Sequence, residues 1–134
     1  MPRLPKFALI AVSVLMTAFN SSLATAQSID LGRGELPVTV PEGYSADTPA
    51  PLIVLLHGYT SSGTVADRYM GLSAIADDYG FLLVAPNGTR EPGGDQNPYW
   101  NASDACCNFF STDVDDSGYL MSVIERMESE YNVD

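Results

Sequence analysis

The residues best placed to do chemistry are His57-Gly58-Tyr59, which close the apolar run Leu52-Ile53-Val54-Leu55-Leu56. Five apolar residues in a row, several of them branched, read as a strand buried on both faces, as inside a parallel sheet. The chain must turn where the run stops. Gly58 permits a tight turn and leaves the next backbone N–H groups free of side-chain cover. Donors at the carboxyl end of such a strand are placed to bind an oxyanion or another anionic group.

The remaining chemical groups are weaker candidates. His57 is the only histidine, so no metal-ligand spacing exists and zinc is not expected. Asp113-Val114-Asp115-Asp116-Ser117-Gly118 begins like a calcium loop, but Ile124 stands at the twelfth position, where a bidentate Glu is needed. Capping of a helix by Asp115 or Asp116 is the better reading. Gly58 to Gly63, followed by Thr64, lacks the lysine of a phosphate loop. No cofactor is expected. Cys106 and Cys107 are neighbours, which rarely bond each other because the ring is strained and the Cα spacing short. One of them therefore pairs with a partner outside this chain, or stays a buried thiol. Trp100 has two readings, contact with the ring of a substrate or ordinary packing in the core.

The elements that must position these groups can be read from the patterning. A short strand is expected around Val38-Thr39-Val40, confined to an edge or a short piece by Pro37 and Pro41. The run 52–56 comes next. A helix is expected over 65–79, with Leu72, Ile75, Ala76 and Tyr79 on one stripe and Gly80 ending it. Phe81 to Ala85 reads as a second buried strand, stopped by Pro86. Strand, helix, strand with short connections is a right-handed crossover between parallel strands. It puts His57-Gly58-Tyr59 and Asn87-Gly88 on the same sheet edge, the ligand side of open α/β sheets. Residues 87–113 show no helical or alternating pattern, and a segment that long is functional or disordered. Its aromatic residues argue against disorder. A last helix spans 116–131, with Leu120, Val123, Ile124, Met127 and Tyr131 inward.

Composition sets the context. Arg3 and Lys6, the apolar run from Phe7 to Met16, and Ala24-Thr25-Ala26 are the three parts of a secretory signal over residues 1–26. Residues 27–134 are then one small domain, secreted to the extracellular space or periplasm. The whole chain has 17 acidic and 6 basic residues, a net charge of −11. Such a surface repels nucleic acid and anionic membranes, and a solubility adaptation is the preferred reading. Neither nucleic acid nor, after signal removal, a membrane is expected as a partner.

The order of these words resembles the secreted α/β-hydrolase esterases of the feruloyl esterase and polyhydroxybutyrate depolymerase family. The matching pieces are Pro51-Leu-Ile-Val-Leu-Leu-His57-Gly58-Tyr59, Asp67-Arg68-Tyr69, Tyr79-Gly80-Phe81 through Pro86, Asn87-Gly88-Thr89, Trp100-Asn101, Ala105-Cys106-Cys107-Asn108, Val114-Asp115-Asp116 with Gly118-Tyr119-Leu120, and Tyr131-Asn132-Val133-Asp134. The resemblance implies an α/β fold, the amino-terminal part of an α/β-hydrolase with a mostly parallel sheet and βα crossovers. It implies ester hydrolysis by a Ser-His-Asp triad, on feruloylated plant xylan or on hydroxyalkanoate esters. The nucleophile of such enzymes sits in a G-x-S-x-G elbow, with the acid and His later in the chain. No serine here lies in that motif, so the expectation is a catalytic domain cut before its nucleophile strand. The backbone N–H of Tyr59 would be one oxyanion donor, and His57 would brace the loop by hydrogen bonding. One of Cys106 and Cys107 would staple the long loop to the absent half. The alternative is a secreted, non-catalytic carbohydrate-binding module with Tyr99, Trp100, Phe109 and Phe110 as its platform.

Overall fold

A computed structural model of the chain describes residues 27–103 and 105–134. The expected signal, residues 1–26, lies outside them. Strands β1 (Gln27–Asp30), β2 (Glu35–Thr39), β3 (Leu52–Val54) and β4 (Leu82–Val84) form one sheet in the order β1-β2-β4-β3. β1 pairs antiparallel with β2, and β2 antiparallel with β4, whereas β3 lies parallel to β4 with Ile53 opposite Leu83. The fold is α/β with a mixed sheet, which corrects the expectation of a mostly parallel one. The cause is local. Only four residues join β1 to β2, with Gly32 and Gly34 at φ 87° and 90°, and so short a link permits only an antiparallel hairpin.

β4 is the central strand among the described residues, and all three of its residues are buried. β3 lies at the edge and is only half-buried, which corrects the reading of 52–56 as buried on both faces. An apolar run records hydrophobicity, not which neighbour supplies the cover. β2 is interior despite Pro37. β4 pairs only with Val38 and Thr39, so Pro37 lies beyond the stretch where β4 needs hydrogen bonds.

Alternation along β4 divides the core between the two faces. Leu82 and Val84 join Leu36, Val38, Val123, Met127 and Tyr131 on one face. Leu83 joins Phe81 and Ala76 on the other. Helix α3 (Asp116–Glu130) covers the first face. Asp115 caps it by accepting from Gly118 N–H at 2.7 Å, and Val123 and Met127, four residues apart, are fully buried. Each such side chain contributes roughly 1.5–3 kcal/mol of apolar burial.

The other face is covered by a broken helix rather than the expected single one over 65–79. α1 spans Gly63–Met70, a 3-10 turn spans Ser73–Ile75, and α2 spans Ala76–Tyr79. Gly71 stops α1 at φ 70°, with its N–H on the Asp67 carbonyl. The Asp67 side chain then accepts from Ser73 N–H at 2.9 Å. The break rotates the expected stripe apart, so Ala76 is buried while Ile75 and Tyr79 are exposed. Within the long segment, β5 (Thr89–Arg90) and β6 (Pro98–Tyr99) form a small antiparallel hairpin. Val133 makes a parallel bridge to Ala50, just before β3. Ala50 N–H donates to the Asn132 carbonyl at 2.9 Å, and Asp134 N–H donates to the Ala50 carbonyl at 3.0 Å.

Candidate functional site

Parallel pairing of β3 and β4 brings the loop at residues 55–62 and the turn at residues 85–88 to one sheet edge. The two segments are tied together by His57, which is 3% exposed. Its Nε2 accepts from Gly88 N–H at 2.9 Å. That bond requires a lone pair on Nε2, so the imidazole is neutral and its proton is on Nδ1. Nδ1 lies 2.7 Å from the Gly58 carbonyl oxygen and donates to it. Ser61 N–H donates to the same oxygen at 3.1 Å.

This fixes the direction of the Tyr59 N–H. The Gly58 carbonyl and the Tyr59 N–H belong to one trans peptide unit, in which they point in opposite directions. With the oxygen held inward by His57 and Ser61, the N–H points away from them. It donates to no acceptor among the described residues. Space in front of the turn is open as well, since a Cβ on Gly58 would meet nothing within 4 Å. Gly58 does not adopt a positive φ. That conformation falls instead on Thr60, at φ 66°, so the sequence reading placed the sharp turn two residues early.

Neighbouring elements hold the rest of the loop. Trp100 Nε1–H donates to the His57 carbonyl at 3.0 Å. Its ring sits 5.3 Å from the His57 ring and 6.4 Å from that of Tyr119. Trp100 is half-buried and braces the loop through its indole N–H. Thr60 N–H donates to the Pro98 carbonyl at 2.9 Å. The Tyr59 hydroxyl donates to Glu91 Oε1 at 2.6 Å, and its ring meets Phe109 edge-on at 5.4 Å. The bond to Glu91, the largest influence, pushes the Tyr59 phenol above its ordinary pKa. Glycines permit two close approaches nearby. A Cβ on Gly63 would collide with the Ala85 carbonyl, and one on Gly88 with the Tyr99 backbone.

Asp116 is the second buried anchor, at 5% exposure. Arg33 Nη1 donates to its Oδ1 at 2.6 Å, Thr89 Oγ1 to the same oxygen at 3.0 Å, and Asn101 N–H to Oδ2 at 2.5 Å. The Arg33 guanidinium also lies over the Tyr119 ring at 3.8 Å. Glu91 and Asp116 in this role escaped the sequence reading. A single acidic residue in an irregular segment carries no periodic signal of burial. Pro92-Gly93-Gly94, a turn signal between Glu91 and β6, is the one feature that suggests a hairpin there.

Cys106 and Cys107 are paired with each other, across a cis peptide and with Cα atoms 3.0 Å apart. The sequence alone leaves one of them to a partner outside the chain or as a buried thiol. Beside this loop lies an apolar groove of about 460 Å³, lined by Leu55, Leu56, Val65, Ala66, Tyr69 and Met70. A polar cleft of about 530 Å³ lies among Asn101, Ser103, Asn108 and Asp113. Among the described residues no three of His, Cys, Asp and Glu are grouped to hold a metal, and no helix is long and apolar enough to cross a membrane. A scan of the chain against protein-family models finds no match, and a search of curated proteins finds none either.

Proposed function

We propose that residues 27–134 form the amino-terminal part of the catalytic domain of a secreted carboxylic ester hydrolase of α/β-hydrolase type. Residues 1–26 serve as its signal. The observation that carries this reading is the Tyr59 N–H, pointing away from His57 and Ser61 and without an acceptor among the described residues. In α/β-hydrolases one oxyanion donor comes from the loop between the third strand and the first helix, and the other from the residue after the nucleophile. The loop 55–62 lies between β3 and α1, and this reading assigns it that role. The parallel bridge from Val133 to Ala50 adds support, because it starts a further parallel strand on the free edge of β3. The nucleophile strand belongs there, and it would cover the apolar groove.

On this reading a serine beyond Asp134 attacks the ester carbonyl while a histidine takes its proton. The carbonyl oxygen becomes an oxyanion facing Tyr59 N–H, the alcohol leaves with the proton, and water then releases the acid from the acyl-enzyme. One such donor is worth about 3 kcal/mol of transition-state stabilisation. Feruloylated polysaccharide and hydroxyalkanoate esters are the substrate classes, and no cofactor takes part. The alternative, a carbohydrate-binding module, keeps Phe109 and Phe110 as exposed rings, while Tyr99 is 1% exposed and Trp100 is engaged beneath the loop.

The test is to read the frame past codon 134 and assay its product. An apolar strand running into G-x-S-x-G, with turnover of a feruloyl or hydroxybutyrate ester that is lost when that serine becomes alanine, supports the proposal. A frame without such an elbow refutes it, as does equal turnover by the 134-residue chain alone.

A further inference from the structure

We propose that Glu91 is a positioning residue for the Tyr59 N–H, acting through the Tyr59 side chain. The inference rests on the ester-hydrolase reading only for the purpose that this N–H serves.

Glu91 is 7% exposed, although the chain has 17 acids and few of them leave the surface. A buried carboxylate is costly unless its oxygens are satisfied. Glu91 makes no ion pair among the described residues. Neutral donors fill its oxygens instead, the Tyr59 hydroxyl on Oε1 at 2.6 Å and Asn97 Nδ2 on Oε2 at 3.1 Å. Hydrogen bonds to a charged acceptor are the stronger kind. The Glu91 N–H also donates to the Asn97 carbonyl at 3.0 Å, which closes the β5–β6 hairpin around the carboxylate.

The hairpin thereby grips two successive loop residues, Tyr59 by its side chain and Thr60 through the Pro98 carbonyl. Such a grip is needed here. A β-branched residue at φ 66° is held in a sparsely allowed conformation and persists only under outside constraint. His57 holds the carbonyl side of the Gly58–Tyr59 peptide, and Glu91 holds the tyrosine side. Together they fix the peptide plane from both ends and leave its N–H as the one group not engaged.

The experiment is residue-resolved amide hydrogen exchange on the full 134-residue chain, with Glu91→Leu, Glu91→Gln, Tyr59→Phe and the Glu91→Leu/Tyr59→Phe double variant. Thr60 N–H, bonded to Pro98, reports the grip, and Leu83 and Val84 report the sheet. Loss of a charge-assisted bond raises exchange at Thr60 about tenfold or more, without a matching rise at Leu83 and Val84. Tyr59→Phe gives the same local rise, and the double variant adds little to it because the two groups act as one pair. Glu91→Gln, which keeps an acceptor for the hydroxyl, restores most of the protection and lowers the Tyr59 titration midpoint. Unchanged exchange at Thr60 overturns the proposal. So does a rise shared equally by Leu83 and Val84, or a fully additive double variant. No ester turnover enters the readout, so failure of the ester-hydrolase reading leaves this result standing and is recognised separately.

Discussion

Replacing His57 with Phe tests the lock on which the site depends. Phe keeps a ring of similar size against Trp100 but removes both nitrogens. The buried Gly88 N–H then loses its acceptor, and the Gly58 carbonyl keeps only Ser61. A buried backbone donor left without a partner costs about 1–3 kcal/mol. A stability loss near 2 kcal/mol lowers the melting temperature of a domain this size by about 10 °C. The assay is urea unfolding followed by the emission of Trp100, the only tryptophan, whose indole N–H rests on the His57 carbonyl. His57→Gln, which can return one acceptor to Gly88, is expected to lose less than His57→Phe. If His57→Phe unfolds within about 0.5 kcal/mol of the parent, the imidazole is not holding the two segments together, and the argument for the direction of Tyr59 N–H fails with it.

Three further outcomes are expected. Asp116→Ala strands the Arg33 guanidinium and frees Thr89 and Asn101, and should cost about 3 kcal/mol in a denaturant titration, as breaking one side of a buried ion pair does. Gly58→Ala should fold with less than about 0.5 kcal/mol lost, whereas Gly63→Ala, whose Cβ meets the Ala85 carbonyl, should lose about 1–3 kcal/mol in the same titration. Burial of the Tyr119 phenol raises its pKa above the ordinary value. The protonated phenol is therefore favoured by folding, and this contribution is intact below about pH 10 and lost as the pH climbs through the raised value. Thermal melts at increasing alkalinity should show that loss, and Tyr119→Phe should reduce it.

The sequence carried the strongly patterned parts of this fold. The apolar runs at 52–56 and 81–85 contain β3 and β4, Asp115 caps α3, and Val123 and Met127 lie in the core at the expected spacing. The features that escaped it depend on neighbours. Gly71 breaks the helix because the Asp67 side chain closes the turn on Ser73, and helical periodicity runs past such a break unnoticed. The sheet is mixed because β2 runs antiparallel both to β1, across a four-residue hairpin link, and to β4. At the site, the His57-Gly58-Tyr59 word was legible, and so was a bracing role for its histidine. The crossover also puts Gly88 on the same edge as His57. The other partners were not legible: Trp100 and Glu91 lie 43 and 32 residues from their loop contacts, and nothing in local spacing encodes a contact at that range.

The Asp116 carboxylate also ties together segments that are synthesised far apart in time. It joins segments that lie 83, 27 and 15 residues away along the chain, and each closure must be made before its contacts reward it. The β1–β2 hairpin and the β3–β4 pair are complete in sequence well before α3 leaves the ribosome. Until it does, Leu82 and Val84 have no helix over them and Arg33 has no acid to dock against. The nascent chain therefore carries an uncovered apolar sheet face for the time taken to translate about thirty further residues, roughly a few seconds at ordinary elongation rates. That interval is when a holding chaperone has its best access to this chain.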